Sequence, residues 1–159
     1  MKRLSGWIAS PWVMLTLRLL LGALFLVAAT PKILDPAAFA LAVDNYHFLP
    51  TPLVNLWALV LPWTELSVGL LLVMGLGGAR PVDQLTEAAA LLSALMYLSF
   101  LIALSWALWQ QLDIDCGCFN PRGADTITKA YLLRDGSLLI ASVLVLLFHH
   151  RLEERKVTG

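Results

Sequence analysis

Charged side chains are scarce in this chain of 159 residues: they make up 14% of it, against roughly a quarter in ordinary soluble domains. So few polar groups cannot cover a soluble globule of this size. Those present cancel to a formal net charge of +0, which leaves no electrostatic support for binding a nucleic acid. Cysteine is nearly missing. The two that occur, Cys116 and Cys118, exclude a multi-disulfide framework and leave one bridge, one redox pair or half of a metal site. Internal repeats and low-complexity segments are absent too, so one domain spanning residues 1–159 is expected.

Apolar residues fill the space, at 59% of the chain with a mean hydropathy of +0.77. They gather into four runs, about 12–30, 53–76, 85–109 and 127–148, each near the length a helix requires to cross a bilayer. The pattern predicts an all-α membrane protein: a four-transmembrane-helix bundle in contact with membrane lipid. The first run follows Met1-Lys2-Arg3, as a secretory signal would, and Val27-Ala28-Ala29 offers small residues for cleavage. The run is long for a signal core and contains Arg18, so it reads as an uncleaved first span.

Thr30-Pro31-Lys32 is expected to end that span, since proline has no N–H for the helix. Asp35-Pro36 then opens a new segment with proline in its first turn. Residues 37–48 mix Phe39, Leu41, Val43 and Tyr46 with Asp44, Asn45 and His47; they read as a short extracytoplasmic interfacial helix. In the second run Pro62 should kink the helix and free the carbonyl of Ala58. Asp125 or Thr126 is placed to cap the fourth span. The tail from His149 onward reads as charged and solvated. Five of the six tryptophans, Trp12, Trp57, Trp63, Trp106 and Trp109, read as interfacial anchors or lipid-facing bulk, although Trp63 stands beside Glu65 and could line a pocket.

Lysines and arginines set the expected orientation. With the N-terminus inside, Lys2, Arg3, Arg80, Arg151, Arg155 and Lys156 lie on the inner side. Lys32, Arg122 and Lys129 lie outside, and Arg18 and Arg134 fall within spans. Both termini are then cytoplasmic, and the loop 110–125 with its two cysteines faces the oxidising compartment, where disulfides persist.

Cys116-Gly117-Cys118 is the sharpest chemical signal. Glycine between the thiols permits the tight backbone that so small a ring demands. A disulfide there closes almost no loop, so it adds little to stability; strained and exposed, it suits exchange rather than structure. A soft metal on the thiolates, with His47 as an outer third ligand, is the competing reading. A third is a non-catalytic anchor subunit for an oxidoreductase, with the cysteines merely structural. A self-contained relay would need a second dithiol, and the chain has none. Electrons must therefore pass to a partner's thiols or to a cofactor such as a membrane quinone. Arg18, Glu65, Arg134 and Asp135 form a second constellation. Ionisable groups in the hydrocarbon region face the bundle interior and pair. These four either lock helices together or line a polar pocket beneath the cysteine loop.

The pieces Arg18-Leu19 with Gly22, Pro31-Lys32 with Asp35-Pro36, Leu61-Pro62-Trp63-Thr64-Glu65-Leu66 with Gly69, Cys116-Gly117-Cys118-Phe119, and Arg134-Asp135 occur in that order over almost the whole chain. Together they resemble the MauE branch of the DoxX-like membrane proteins, the methylamine-utilisation MauE family. Members usually carry a glycine after Cys-Gly-Cys-Phe, where this chain has Asn120. The resemblance implies a four-helix bacterial inner-membrane protein. It also implies a periplasmic thioredoxin-like partner and disulfide formation in a secreted substrate. Related DoxX-like chains are linked to quinone-coupled sulfur oxidation.

Overall fold

The computed structural model describes residues 11–47, 49–75, 80–111 and 129–158. Among them all regular structure is helical: α1 (Pro11–Leu34), α2 (Pro36–Asp44), α3 (Thr51–Met74), α4 (Arg80–Trp109) and α5 (Lys129–Thr158). Four of these hold stretches long and apolar enough to cross a membrane: Trp12–Leu34, Pro52–Met74, Gln84–Trp109 and Ala130–Phe148. The architecture is a four-helix membrane bundle with one short accessory helix. Cys116, Cys118 and the expected caps Asp125 and Thr126 lie outside the described residues.

Buried positions recur every three or four residues along each long helix. In α1 they include Met14, Leu21, Phe25, Ala28, Ala29 and Lys32; in α3, Val54, Ala58, Leu61, Pro62, Glu65, Val68 and Leu72. This period places one stripe of each helix against its neighbours. The opposite stripes expose Leu20, Val27, Leu56, Trp63 and Ile140, as suits helices whose surroundings are lipid rather than water. Trp12, Trp57, Trp63 and Trp109 are all exposed, in keeping with anchoring or lipid contact. Hydroxyls on the outward stripes donate to the carbonyl one turn back, as in Thr30 to Leu26 at 2.8 Å and Ser67 to Trp63 at 2.8 Å. These hydroxyls then do not face lipid unsatisfied.

α1 packs most extensively on α3, and α4 on α5. Gly22 and Gly69 make the first crossing close. A Cβ built on Gly22 would lie 3.0 Å from the Gly69 carbonyl oxygen, and one built on Gly69 would lie 3.0 Å from that of Gly22. Two backbones meet here with no side chain between them, the usual device for close helix contact in a bilayer.

One break differs from expectation. α1 runs through Pro31 to Leu34, a turn beyond the predicted stop. The helical ladder resumes beyond the proline, with the Asp35 N–H donating to the Pro31 carbonyl at 3.0 Å, and the added turn carries Lys32 into the interior. α3 holds Pro62 within its length, fully buried. α2 begins at Pro36 as expected, with Asp35 Oδ1 accepting from the Ala38 N–H at 3.0 Å. It buries Phe39 and Ala42 against α1 and α3, so it is a lid on the bundle as well as an interfacial helix. α5 extends through the charged tail to Thr158.

Candidate functional site

Between the α1–α3 pair and the α4–α5 pair lies a cavity of about 230 Å³. Its lining comes from the C-terminal halves of α1 and α4, the first two thirds of α3, the N-terminal half of α5, and α2 with the residues after it. All of these belong to one end of the bundle. It is the end where α4 stops and α5 begins. Helical spacing explains the lining. Phe25, Ala28 and Lys32 share a face of α1; Trp57, Leu61 and Glu65 share a face of α3 at intervals of four.

The walls are apolar and rich in rings. Phe25 and Tyr97 stand 5.0 Å apart between centroids, and Tyr97 and Phe100 meet edge to face at 6.3 Å. Four charged residues interrupt this surface. Lys32 Nζ and Glu65 Oε1 form an ion pair at 2.5 Å, and both residues are nearly sealed from the outside, at 2% and 1% exposure. The ammonium also lies over Phe39 at 5.1 Å and over Phe100 at 5.8 Å, distances at which ring faces stabilise a cation. Arg134 Nε donates to Asp135 Oδ1 at 2.8 Å, and its guanidinium stacks 4.8 Å above Tyr131. Asp135 is 2% exposed.

The pairing is incomplete in one respect. Glu65 Oε2 and Asp135 Oδ2 are buried with no hydrogen-bond partner among the described residues. A buried carboxylate oxygen without a donor costs free energy, so both atoms mark a place where a donor from elsewhere would be welcome. Chemically, the cavity offers cationic donors, anionic acceptors and flat apolar walls in one small volume.

Of the four in-span charges singled out from the sequence, three line this cavity: Glu65, Arg134 and Asp135. Arg18 does not. It lies fourteen residues before Lys32 in α1, roughly 21 Å away along the helix. Its guanidinium donates to the Leu72 carbonyl at 3.3 Å and to the Thr86 hydroxyl at 3.5 Å. Arg18 thereby satisfies a carbonyl in the last turn of α3, where cations are favoured, and ties α1, α3 and α4 at the opposite end. The close fit extends to Gly75, where a Cβ would overlap both the Thr86 hydroxyl and the Arg18 guanidinium.

Lys32 is the residue that sequence reasoning missed, because it was assigned to an outer loop after Pro31. A signal was present. Phe25, Ala28 and Lys32 continue a spacing of three and four without interruption, which places the lysine on the buried stripe whether or not proline is tolerated. His47 is exposed, adopts a left-handed φ of 50°, and holds Nδ1 2.8 Å from the Asn45 carbonyl. Trp63, considered as a pocket residue, is 58% exposed and points away from the cavity; Trp57 lines it instead.

Comparison with known proteins gives a consistent match. Residues 10–148 match the family described as "Methylamine utilisation protein MauE". A methylamine utilization protein MauE of Paracoccus denitrificans is 32% identical over 133 residues, covering 83% of this chain and 67% of that protein. Its namesake in Methylophilus methylotrophus is 28% identical over 147 residues, covering 88% and 73% respectively. That of Methylorubrum extorquens is 32% identical over 135 residues, covering 85% and 69%. No solved structure matches the chain.

Proposed function

This chain belongs to the MauE family, and on that premise we propose that it is a membrane thiol–disulfide redox protein acting through Cys116 and Cys118. The observation that carries the reading is a juxtaposition. The chain's only dithiol occurs, in sequence, between α4 and α5, and the ends of those two helices that it connects lie at the same end of the bundle as the charged cavity. A cavity with a sealed Lys32–Glu65 ion pair is expensive to maintain in a bilayer, and thiol oxidation is chemistry that must dispose of protons and electrons nearby.

In the exchange, a thiolate attacks one sulfur of a disulfide and the other sulfur leaves as a thiolate. A mixed disulfide joins the two proteins until a second thiolate displaces it, and two electrons have then passed between the pairs. The partner is an extracytoplasmic thioredoxin-like protein, and through it a secreted substrate that carries disulfides. The relatives are named for methylamine utilisation, and the proposal sets the exchange within that process. Orientation follows from the basic residues. With Lys32 buried in α1, only Arg122 and Lys129 remain on the outer side, and the bias toward cytoplasmic termini in an inner membrane strengthens.

Trapping tests the proposal. Cys116→Ser or Cys118→Ser should hold a thioredoxin-like protein as a mixed disulfide that reductant releases. The reading fails if neither variant captures one and the doubly substituted protein keeps full activity.

A further inference from the structure

We propose that Lys32 and Glu65, with Arg134 and Asp135 beside them, form the head-group end of a binding site for a membrane quinone. The electron-transfer part of this inference rests on the dithiol reading above; the binding part does not. Four features of the cavity select that class of ligand.

The first is charge. Two cations and two anions leave the site neutral, so an ionic ligand would introduce an uncompensated buried charge, whereas a neutral one does not. The second is hydrogen bonding. Lys32 Nζ carries three N–H donors, of which the bond to Glu65 uses one. Glu65 Oε2 and Asp135 Oδ2 are acceptors in need of donors. Donors and acceptors side by side suit a group that presents carbonyl oxygens in one state and hydroxyls in the other: the carbonyls accept from Lys32, and the hydroxyls donate to the two carboxylates.

Shape supplies the third feature. A cavity of about 150 Å³ is known to hold a benzene ring, so the 230 Å³ here accommodates a substituted six-membered ring. Phe25, Phe39, Tyr97 and Phe100 flank it, and the whole of a long-chain lipid does not fit. The fourth is an exit. Trp57 lines the cavity and is 43% exposed on the flank of α3, so an isoprenoid tail can leave toward the surrounding lipid. When bound, a quinone supplies the missing acceptor: closing the Cys116–Cys118 disulfide releases two electrons and two protons, and the dione takes up both as it becomes the diol.

The experiment is a titration of the purified chain in lipid nanodiscs with decylubiquinone and with a short-chain menaquinone analogue, read by tryptophan fluorescence. Saturable quenching is expected, much of it lost in Trp57→Phe. The Lys32→Met/Glu65→Leu variant, which removes both charges together, should weaken binding roughly tenfold or more, the loss expected when buried hydrogen-bonding partners are removed. Asp135→Asn should weaken it less. Ala103→Phe, which fills the cavity and leaves every charge in place, should abolish it and serves if the double variant does not fold. Decanol, a neutral amphiphile without a ring, should not compete. The inference is overturned if neither quinone quenches saturably, if Ala103→Phe binds as well as the parent, or if decanol displaces the signal. Failure of the two readings is separable. Quinone binding that survives in Cys116→Ser/Cys118→Ser, with a parent dithiol that quinone never oxidises, removes the redox reading alone. Trapping of a partner by a chain that binds no quinone removes this one alone.

Discussion

Breaking the Lys32–Glu65 pair one side at a time should damage the fold far more than removing it whole. Both residues are at least 98% covered, at 2% and 1% exposure, and their contact spans 33 residues of sequence, from α1 to α3. Lys32→Met strands a carboxylate whose second oxygen already lacks a donor among the described residues. Glu65→Leu strands an ammonium over the faces of Phe39 and Phe100 without its paired carboxylate. Removing one partner of a buried pair costs about 3–5 kcal/mol, a large share of a typical stability of about 5–15 kcal/mol. Replacing both partners by apolar side chains of similar volume is neutral or even stabilising, because neither charge then has to be desolvated. The Lys32→Met/Glu65→Leu protein should therefore lie near the parent, and far above the sum of the single variants. The assay is a double-mutant cycle in mixed micelles, with unfolding driven by added denaturing detergent and followed by far-ultraviolet circular dichroism. Coupling in membrane bundles averages only about 0.6 kcal/mol for ordinary interhelical hydrogen bonds, so a value above about 2 kcal/mol would single this pair out. Additive effects, or single variants within about 0.5 kcal/mol of the parent, would refute the reasoning.

Two further predictions concern how the bundle is held. Gly22→Ala should cost about 1–3 kcal/mol, as overpacking does, because the new methyl meets the Gly69 carbonyl at 3.0 Å and Val73 Cγ2 at 2.7 Å. Gly136→Ala, where a Cβ meets nothing within 4 Å, should instead add up to about 1 kcal/mol through helix propensity; the same detergent titration reads both, and equal effects would contradict the close crossing. Asp35→Ala removes the side-chain acceptor of the Ala38 N–H and should cost about 0.5–2 kcal/mol. Faster amide hydrogen exchange in the first turn of α2 checks it, and unchanged exchange there would mean that packing of Phe39 alone holds the helix.

The four spans, the start of α2 at Pro36 and the inward placement of the in-span charges were legible in the amino-acid order, because bilayer thickness and the cost of a charge in hydrocarbon act on each segment separately. Composition and run length are enough to read such effects. Which charge meets which is a different kind of question. Arg18 and Lys32 are both basic residues of α1, yet one closes the end of α3 and the other meets Glu65 in the cavity. The choice depends on the angle and depth at which α1 crosses α3. Those are set where Gly22 and Gly69 bring two backbones together, and by a helix that continues through Pro31 when local rules would stop it. The amino-acid order determined a four-helix membrane protein with a dithiol between its last two spans. Tertiary packing alone decided that Lys32, rather than Arg18, completes the charged cavity at that end, since only packing sets the distance between groups 33 residues apart.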